Sequence, residues 1–558
     1  ELAISAVRLY YFLQLNGFRT LRDMNAASTR YIQVMGNIVR QIKAKDVRRF
    51  VREWAEERCL AENIRNLIVN SMKFSENSLE NLAEVELDFS NFTPNTQMFF
   101  FKSKAIEVTP KDIIIHSRGD ASFQHYVWED NVLPYEFSTL PEMFHITRED
   151  KSFDIEVLNS DKSCLWGYVI NSSRIYWRKE MEYRFEDDRE AAMEYAKSHR
   201  FCIDGEGLSA SEIYEQKQNL INKIFAIGYM LHRYKSPSRA WAPQAMDNKI
   251  GENGECNGRS GKSFLFKALS MFMRTVKLSG RNPKLMDNPH VFDQVNIHTD
   301  FVLVDDCAQY LSMGLFYDII TSDMTVNPKN NQSYSIPFEQ SPKFGFTTNF
   351  VPLDFDSSTE ARMLYMVYSD YYHQLTETND YLETRSIRDD FGRDLFTDAY
   401  SDADWNADIN FLMQCLRFYL SICHENIKIL PPMDNIIQRK YRQDIGNNFE
   451  DWALTFFAED SDNLDRMLVR REVFENYRRF ANVGNLTMQK FTHKLRAFCH
   501  LCKYIEELNP QEMCNSQKRI TRRVDNNVED MIYILSKKKK KTTTDSNDFF
   551  PDEDFVQS

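Results

Sequence analysis

The chain has 558 residues, 42% hydrophobic and 27% charged, with a formal net charge of −13 at pH 7. That length exceeds one ordinary domain, and the composition can bury several cores. The charge excludes a nucleic-acid binder that is basic over its whole surface, but leaves room for a local basic channel. No run approaches the roughly 18 apolar residues of a membrane span. The opening ELAISAVRLYYF has no basic segment ahead of an apolar run, so no signal peptide is read there. It also lacks an initial Met, which suggests a fragment with domains upstream. Ten cysteines are scattered along the chain. Without a secretion signal they read as reduced thiols of a cytosol-like compartment.

Residues 1–75 read as helices, with DVRRFVREWAEERCL and ENIRNLIVNSM carrying apolar positions at helical spacing. From about Leu87, short β-branched and aromatic runs such as QMFFFKSKAIEVTPKDIIIHS predict strands. Residues 1–208 are therefore an α+β accessory region. They show no paired-acid strand of polymerase type and no zinc-ribbon spacing, so no primase chemistry. SASEIYEQKQNLINKIFAIGYMLHRYK predicts a long helix capped by Ser209, with Glu212 completing a capping box. The prolines of KSPSRAWAPQ end that pattern. From Ala245 to Tyr372 strands and helices alternate, as in an α/β nucleotide-binding core, and DINFLMQCLRFYLSICHENI is helical again. The core unit is bounded at 209–428.

A last unit, 429–536, turns helical from about Asn435. RREVFENYRRFANVGNLTMQKFTHKLRAF predicts two helices and KRITRRVDNNVEDMIYIL two strands across a turn, the order of a winged helix. Cys499 and Cys502 have metal-like spacing, but a lone CxxC on a helix whose apolar positions repeat reads as core thiols. Residues 537–558, five lysines and then an acidic stretch with Phe549, Phe550 and Phe555, read as a disordered tail. That tail is either a docking peptide or simply solvated.

The chemistry concentrates in GENGECNGRSGKSFLFKAL. A phosphate loop needs inward-facing backbone N–H groups, a Lys for the β/γ-phosphates and a Ser or Thr for Mg²⁺ at the start of a helix. Gly261, Lys262 and Ser263 supply these, and SFLFKALSMFM supplies the helix. Cys256 stands where the usual pattern has its first Gly, with Gly254 and Gly258 flanking it to provide the turn. Downstream, DFVLVDD is a buried-strand run ending in two acids. Asp305 suits Mg²⁺ held through water, and Asp306, 44 residues after Lys262, suits a general base. SPKFGFTTNF is a third strand, ending in Asn349, a polar residue placed to orient the attacking water.

Loop, paired acids and TTN strand end in so short a span resemble the superfamily 3 helicases of viruses, phages and plasmids, which are ring-forming AAA+-type ATPases. ITSDMTVNPKNNQSYSIPF stands where that family carries its DNA-contacting hairpin, which makes Lys329 the matching residue. SSTEARMLYMVYSDYY stands where it carries the arginine that acts on a neighbouring subunit, which makes Arg362 the match. FAIGYMLHRYK and GRNPKLMDNPHVFDQV are further similar to the helicase portion of primase–helicases from Bacteroidetes mobile elements and phages, akin to the poxvirus type.

The resemblance implies an AAA+-like P-loop core that binds ATP and Mg²⁺, assembles as a homo-hexamer and moves along single-stranded DNA. It implies a bacterial host's cytoplasm and replication proteins as partners of the acidic tail; without a long apolar run, no membrane partner is expected. Its departures are Cys256 in the loop and Asp306, one methylene shorter than the Glu of many ATPases. Two other readings stand beside the helicase: a replication initiator whose ATPase switches assembly without unwinding, and a scaffold with a degenerate loop.

Overall fold

The computed structural model describes residues 3–22, 30–120, 122–150, 152–185, 188–248, 260–282, 284–308, 311–349, 357–377, 379, 381–432, 445, 447–481, 486–515, 519–524 and 527–537. Gly254, Cys256 and Gly258, the Asn435 start of the last unit and the acidic tail lie outside the described residues.

The first 75 residues depart from the all-helical expectation. Helices Ala6–Leu15, Ala44–Glu57 and Glu62–Asn70 form, but strands Phe18–Leu21, Arg30–Met35 and Ile38–Gln41 stand between the first two. They belong to a five-stranded sheet completed by Glu84–Val85 and Val127–Trp128. The physical reason lies in RYIQVM and IVRQ. These runs are short and β-branched, and pair antiparallel across the Gly36 turn, whose φ is +62°, a conformation glycine adopts without cost. Beyond them, Gln97–Phe100, Lys104–Val108 and Ile113–Ser117 make the expected antiparallel strands.

Eight elements build the centre of the molecule: α1 (Ala210–Leu231), β1 (Ala242–Asp247), α2 (Lys262–Ser270), β2 (Thr275–Ser279), β3 (Phe301–Cys307), β4 (Lys343–Thr348), β5 (Met363–Tyr368) and α3 (Asp402–Ile422). Ser209 caps α1 as predicted. Its hydroxyl accepts from Glu212 N–H, and its own N–H donates to the Glu212 carboxylate at 2.7 Å. The five strands are all parallel, in the order β2-β3-β4-β1-β5. The fold is mixed α/β around this sheet.

Both faces of the sheet are covered, which is the rule for parallel strands joined by helical crossovers. Phe301, Leu303, Leu364 and Met366 face one core, shared with α1, α2 and α3. Their alternates Val302, Val304, Met363 and Tyr365 face another. The first core extends from Phe99 to Ile429, so residues on both sides of position 208 pack in one cluster. Gly345 in β4 is needed where it stands: a Cβ there would meet the Phe301 ring at 2.4 Å.

The C-terminal residues have a core of their own, with Phe449, Trp452, Phe491, Leu495, Phe498 and Ile534 buried together. Helices Arg470–Ala481 and Met488–Leu501 and the antiparallel pair Ile520–Val524 and Asn527–Ser536 form where the sequence predicts them. Cys499 is buried there, and burial, then the neighbouring Cys502, pushes its thiol far up. No helix among the described residues is long and apolar enough to cross a membrane.

Candidate active site

Three strand ends and one helix start meet at the carboxyl edge of the sheet. Gly261 caps α2 with φ +88°, a left-handed conformation that a side chain would strain. Lys262 follows as the first helical residue and is buried. Its ammonium is 2.5 Å from Asp247, the last residue of β1, and 3.2 Å from the Ser260 hydroxyl. Ser260 donates to the other Asp247 oxygen. The loop lysine is thus held by a carboxylate from the strand that feeds the loop.

Ser263 turns the other way. Its hydroxyl donates to Asp305 at 2.9 Å. The same Asp305 oxygen accepts from the Thr347 hydroxyl at 2.6 Å, and the second oxygen lies 2.7 Å from the Lys277 ammonium. Burial raises the Asp305 carboxyl, but hydrogen bonds from Lys277, Thr347 and Ser263 outweigh it and hold the group below the usual carboxylate range. Asp305 is therefore charged. A hydroxyl and an ionised carboxylate, both hard oxygen donors, fit Mg²⁺.

The two acids of β3 point apart because the strand is irregular between them. The register with β4 shifts between Val304 and Cys307, and Asp306 adopts φ +57°. A bulge of this kind redirects successive side chains. The Asp306 amide donates to Thr347 Oγ1 at 2.8 Å, and its carboxylate is 2.6 Å from Arg281. Thr347 thereby ties both acids to β4. Asn349 follows the last residue of β4, which lies between β1 and β3. Its strand end therefore stands between those of Lys262's feeder strand and the paired acids.

Two predicted residues lie elsewhere. Lys329 is exposed in the turn between the antiparallel strands Met324–Val326 and Tyr334–Ile336. Phe338, just past that hairpin, is buried, and the Tyr334 hydroxyl donates to Val295 O at 2.7 Å. Arg362 precedes β5, whose first residue pairs with Ala242 at the start of β1. It therefore sits at the amino end of the sheet, about six residues or ~20 Å along the strands from Asp247. Its guanidinium lies 5.1 Å from the Tyr317 ring centre.

Sequence reasoning missed Asp247, Ser260, Lys277, Arg281 and Thr347. Asp247 alone left a signal, an acid closing the strand before a phosphate loop. The others are visible only once the strand order is known.

No family model matches the chain, and no curated protein matches it in sequence. Among solved structures, the apo form of the NrS-1 C-terminal region is similar at 9% identity and a TM-score of 0.40, covering 95% of this chain and 100% of that one. JCV helicase with a bound thiazolopyridine compound is similar at 13% identity and a TM-score of 0.21, covering 51% of this chain and 76% of that one. At these TM-scores the site is read from its own geometry.

Proposed function

We propose that the chain is a Mg²⁺-dependent ATP hydrolase that drives a DNA helicase of superfamily 3 type. The observation that carries this reading is the contact of Ser263, at the start of α2, with an ionised Asp305 at the carboxyl end of a parallel strand, beside the buried Lys262. Ligands of open parallel sheets bind at that edge, and nucleotide phosphates bind at helix starts. In this reading Gly258, Gly261 and Lys262 hold the phosphates, with Lys262 leaving Asp247 for the incoming anion. Ser263 and Asp305 would hold Mg²⁺. Bound there, Mg²⁺ would supply positive charge against the phosphates. Asp306 accepts the proton of the attacking water and Asn349 orients that water.

Arg362, far from its own chain's phosphate loop, serves a neighbouring copy, which requires a ring such as a homo-hexamer. Lys329, exposed at a hairpin tip, grips the phosphates of single-stranded DNA. The C-terminal winged-helix-like unit binds duplex, and the whole acts as the helicase part of a phage or mobile-element primase–helicase.

The test is ATP hydrolysis with and without single-stranded DNA, together with strand displacement. DNA should stimulate hydrolysis. Lys262→Ala should abolish it, and Lys329→Ala should remove the stimulation alone. Absence of hydrolysis at concentrations where rings form would sink the ATPase, and hydrolysis without strand displacement would sink the helicase.

A further inference from the structure

One group reaches the phosphate loop from 93 residues upstream. The Tyr168 hydroxyl donates to Gly261 O at 2.7 Å. That carbonyl already accepts from Phe264 N–H at 2.8 Å, a tight first turn of α2. Tyr168 is fully buried, and burial, then Tyr368 and Asp247, push its phenol far above the ordinary range. It therefore remains a donor.

The ring is fixed as firmly as the hydroxyl. It stacks on Tyr372 with centroids 5.8 Å apart and meets Phe264 edge-on at 4.8 Å. Tyr372 and Asn171 both donate to Asp390, at 2.8 and 2.9 Å. The helix that carries the tyrosine, Cys164–Asn171, is held at its start by Asp408 of α3, which accepts from Ser163 Oγ at 2.7 Å and Leu165 N at 3.1 Å.

A trans peptide is planar, with its C=O and N–H on opposite sides. Holding Gly261 O on Tyr168 therefore aims the next N–H, that of Lys262, away from Tyr168. The first amides of a helix have no partner within it, and a phosphate loop uses such amides as ligands. We infer that Tyr168 is a positioning residue of the phosphate loop, fixing the Gly261–Lys262 peptide so that the Lys262 N–H faces a bound phosphate. This rests on the ATPase reading and adds to it a residue from the region upstream of the nucleotide-binding core.

The test compares wild type, Tyr168→Phe and Lys262→Ala by calorimetric titration with Mg·ATP and by steady-state hydrolysis, below all their melting temperatures. Tyr168→Phe keeps the ring and its packing. It should raise Kd and KM for ATP roughly fivefold, the weight of one hydrogen bond of about 1 kcal/mol, with kcat within about twofold of wild type. Unchanged Kd and KM overturn the inference. A fall in kcat that tracks the folded fraction with KM constant overturns it too, because the hydroxyl is then only structural. A wild type that binds no ATP takes down the ATPase reading first and this inference with it.

Discussion

Two buried lysines at opposite ends of one parallel sheet have different fates. Lys262, at the carboxyl end, faces the Asp247 carboxylate at 2.5 Å. Lys343 opens β4 at the amino end and donates to two carbonyls near the C-terminus of α1, Tyr229 O at 2.7 Å and His232 O at 2.5 Å. Burial, then the charges of Lys235, Arg233 and Arg239, push Lys343 well below the ordinary lysine range. Its partners are neutral and internal, the unpaired carbonyls that every helix end must satisfy. Lys262 is held by a buried carboxylate where β1 ends, and in the proposed reading an incoming phosphate takes that charge's place. A buried amine on backbone carbonyls serves the fold, whereas one on a carboxylate at the carboxyl edge of the sheet is, in the proposed reading, available for exchange.

The largest effects should come from removing each lysine in turn. Lys262→Ala should lower ATP hydrolysis at least about 100-fold, the scale of one transition-state contact, in protein that remains folded. Lys343→Met should destabilise the fold by about 2 kcal/mol by stranding two carbonyls, with kcat per folded molecule unchanged. Chemical denaturation and hydrolysis rates on both variants check the pair, and the contrast breaks if Lys343→Met abolishes turnover in folded protein.

A smaller effect should appear as a pH slope at the amino end. Lys235 donates to Ser341 Oγ at 2.6 Å and lies 4.4 Å from the Phe338 ring centre. Burial first, then the charge of Arg233, lowers its pKa to about 7. The unfolded chain then binds more protons than the folded one between about pH 7 and the ordinary lysine pKa near 10.4. Stability should therefore rise with pH across that window and fall as pH drops through about 7. Lys235→Met should flatten this part of the profile, as read by denaturation at pH 6.5, 8 and 9.5. A slope retained in the variant would assign it to other groups.

The smallest expected effect lies at the carboxyl end. Asp247→Asn removes the charge that competes with phosphate for Lys262, so Kd for ATP should fall severalfold, about 1 kcal/mol in the interaction of nearby charges. Titration with Mg·ATP measures it. Weaker binding in Asp247→Asn would mean that Asp247 supports the loop rather than competing with its ligand.

Local sequence was enough for elements whose signals lie within a few residues. The capping box of Ser209 and Glu212 starts α1 where it was read, DFVLVDD is a strand, and the turn with Lys329 joins an antiparallel pair. RYIQVM and IVRQ were misread because each run is too short to separate helical from strand periodicity, and pairing across Gly36 decided them. By itself, then, the sequence determined the alternation of strands and helices, the Gly261-Lys262-Ser263 helix start and the paired acids. Tertiary structure alone decided that Thr347 bridges those acids, that Lys277 faces Asp305, that Asp247 holds Lys262 and that Tyr168 grips Gly261. The reason is physical. Hydrogen-bond partners in a parallel sheet are set by strand order, strand order is set by how crossovers pack, and no local period in the chain encodes it.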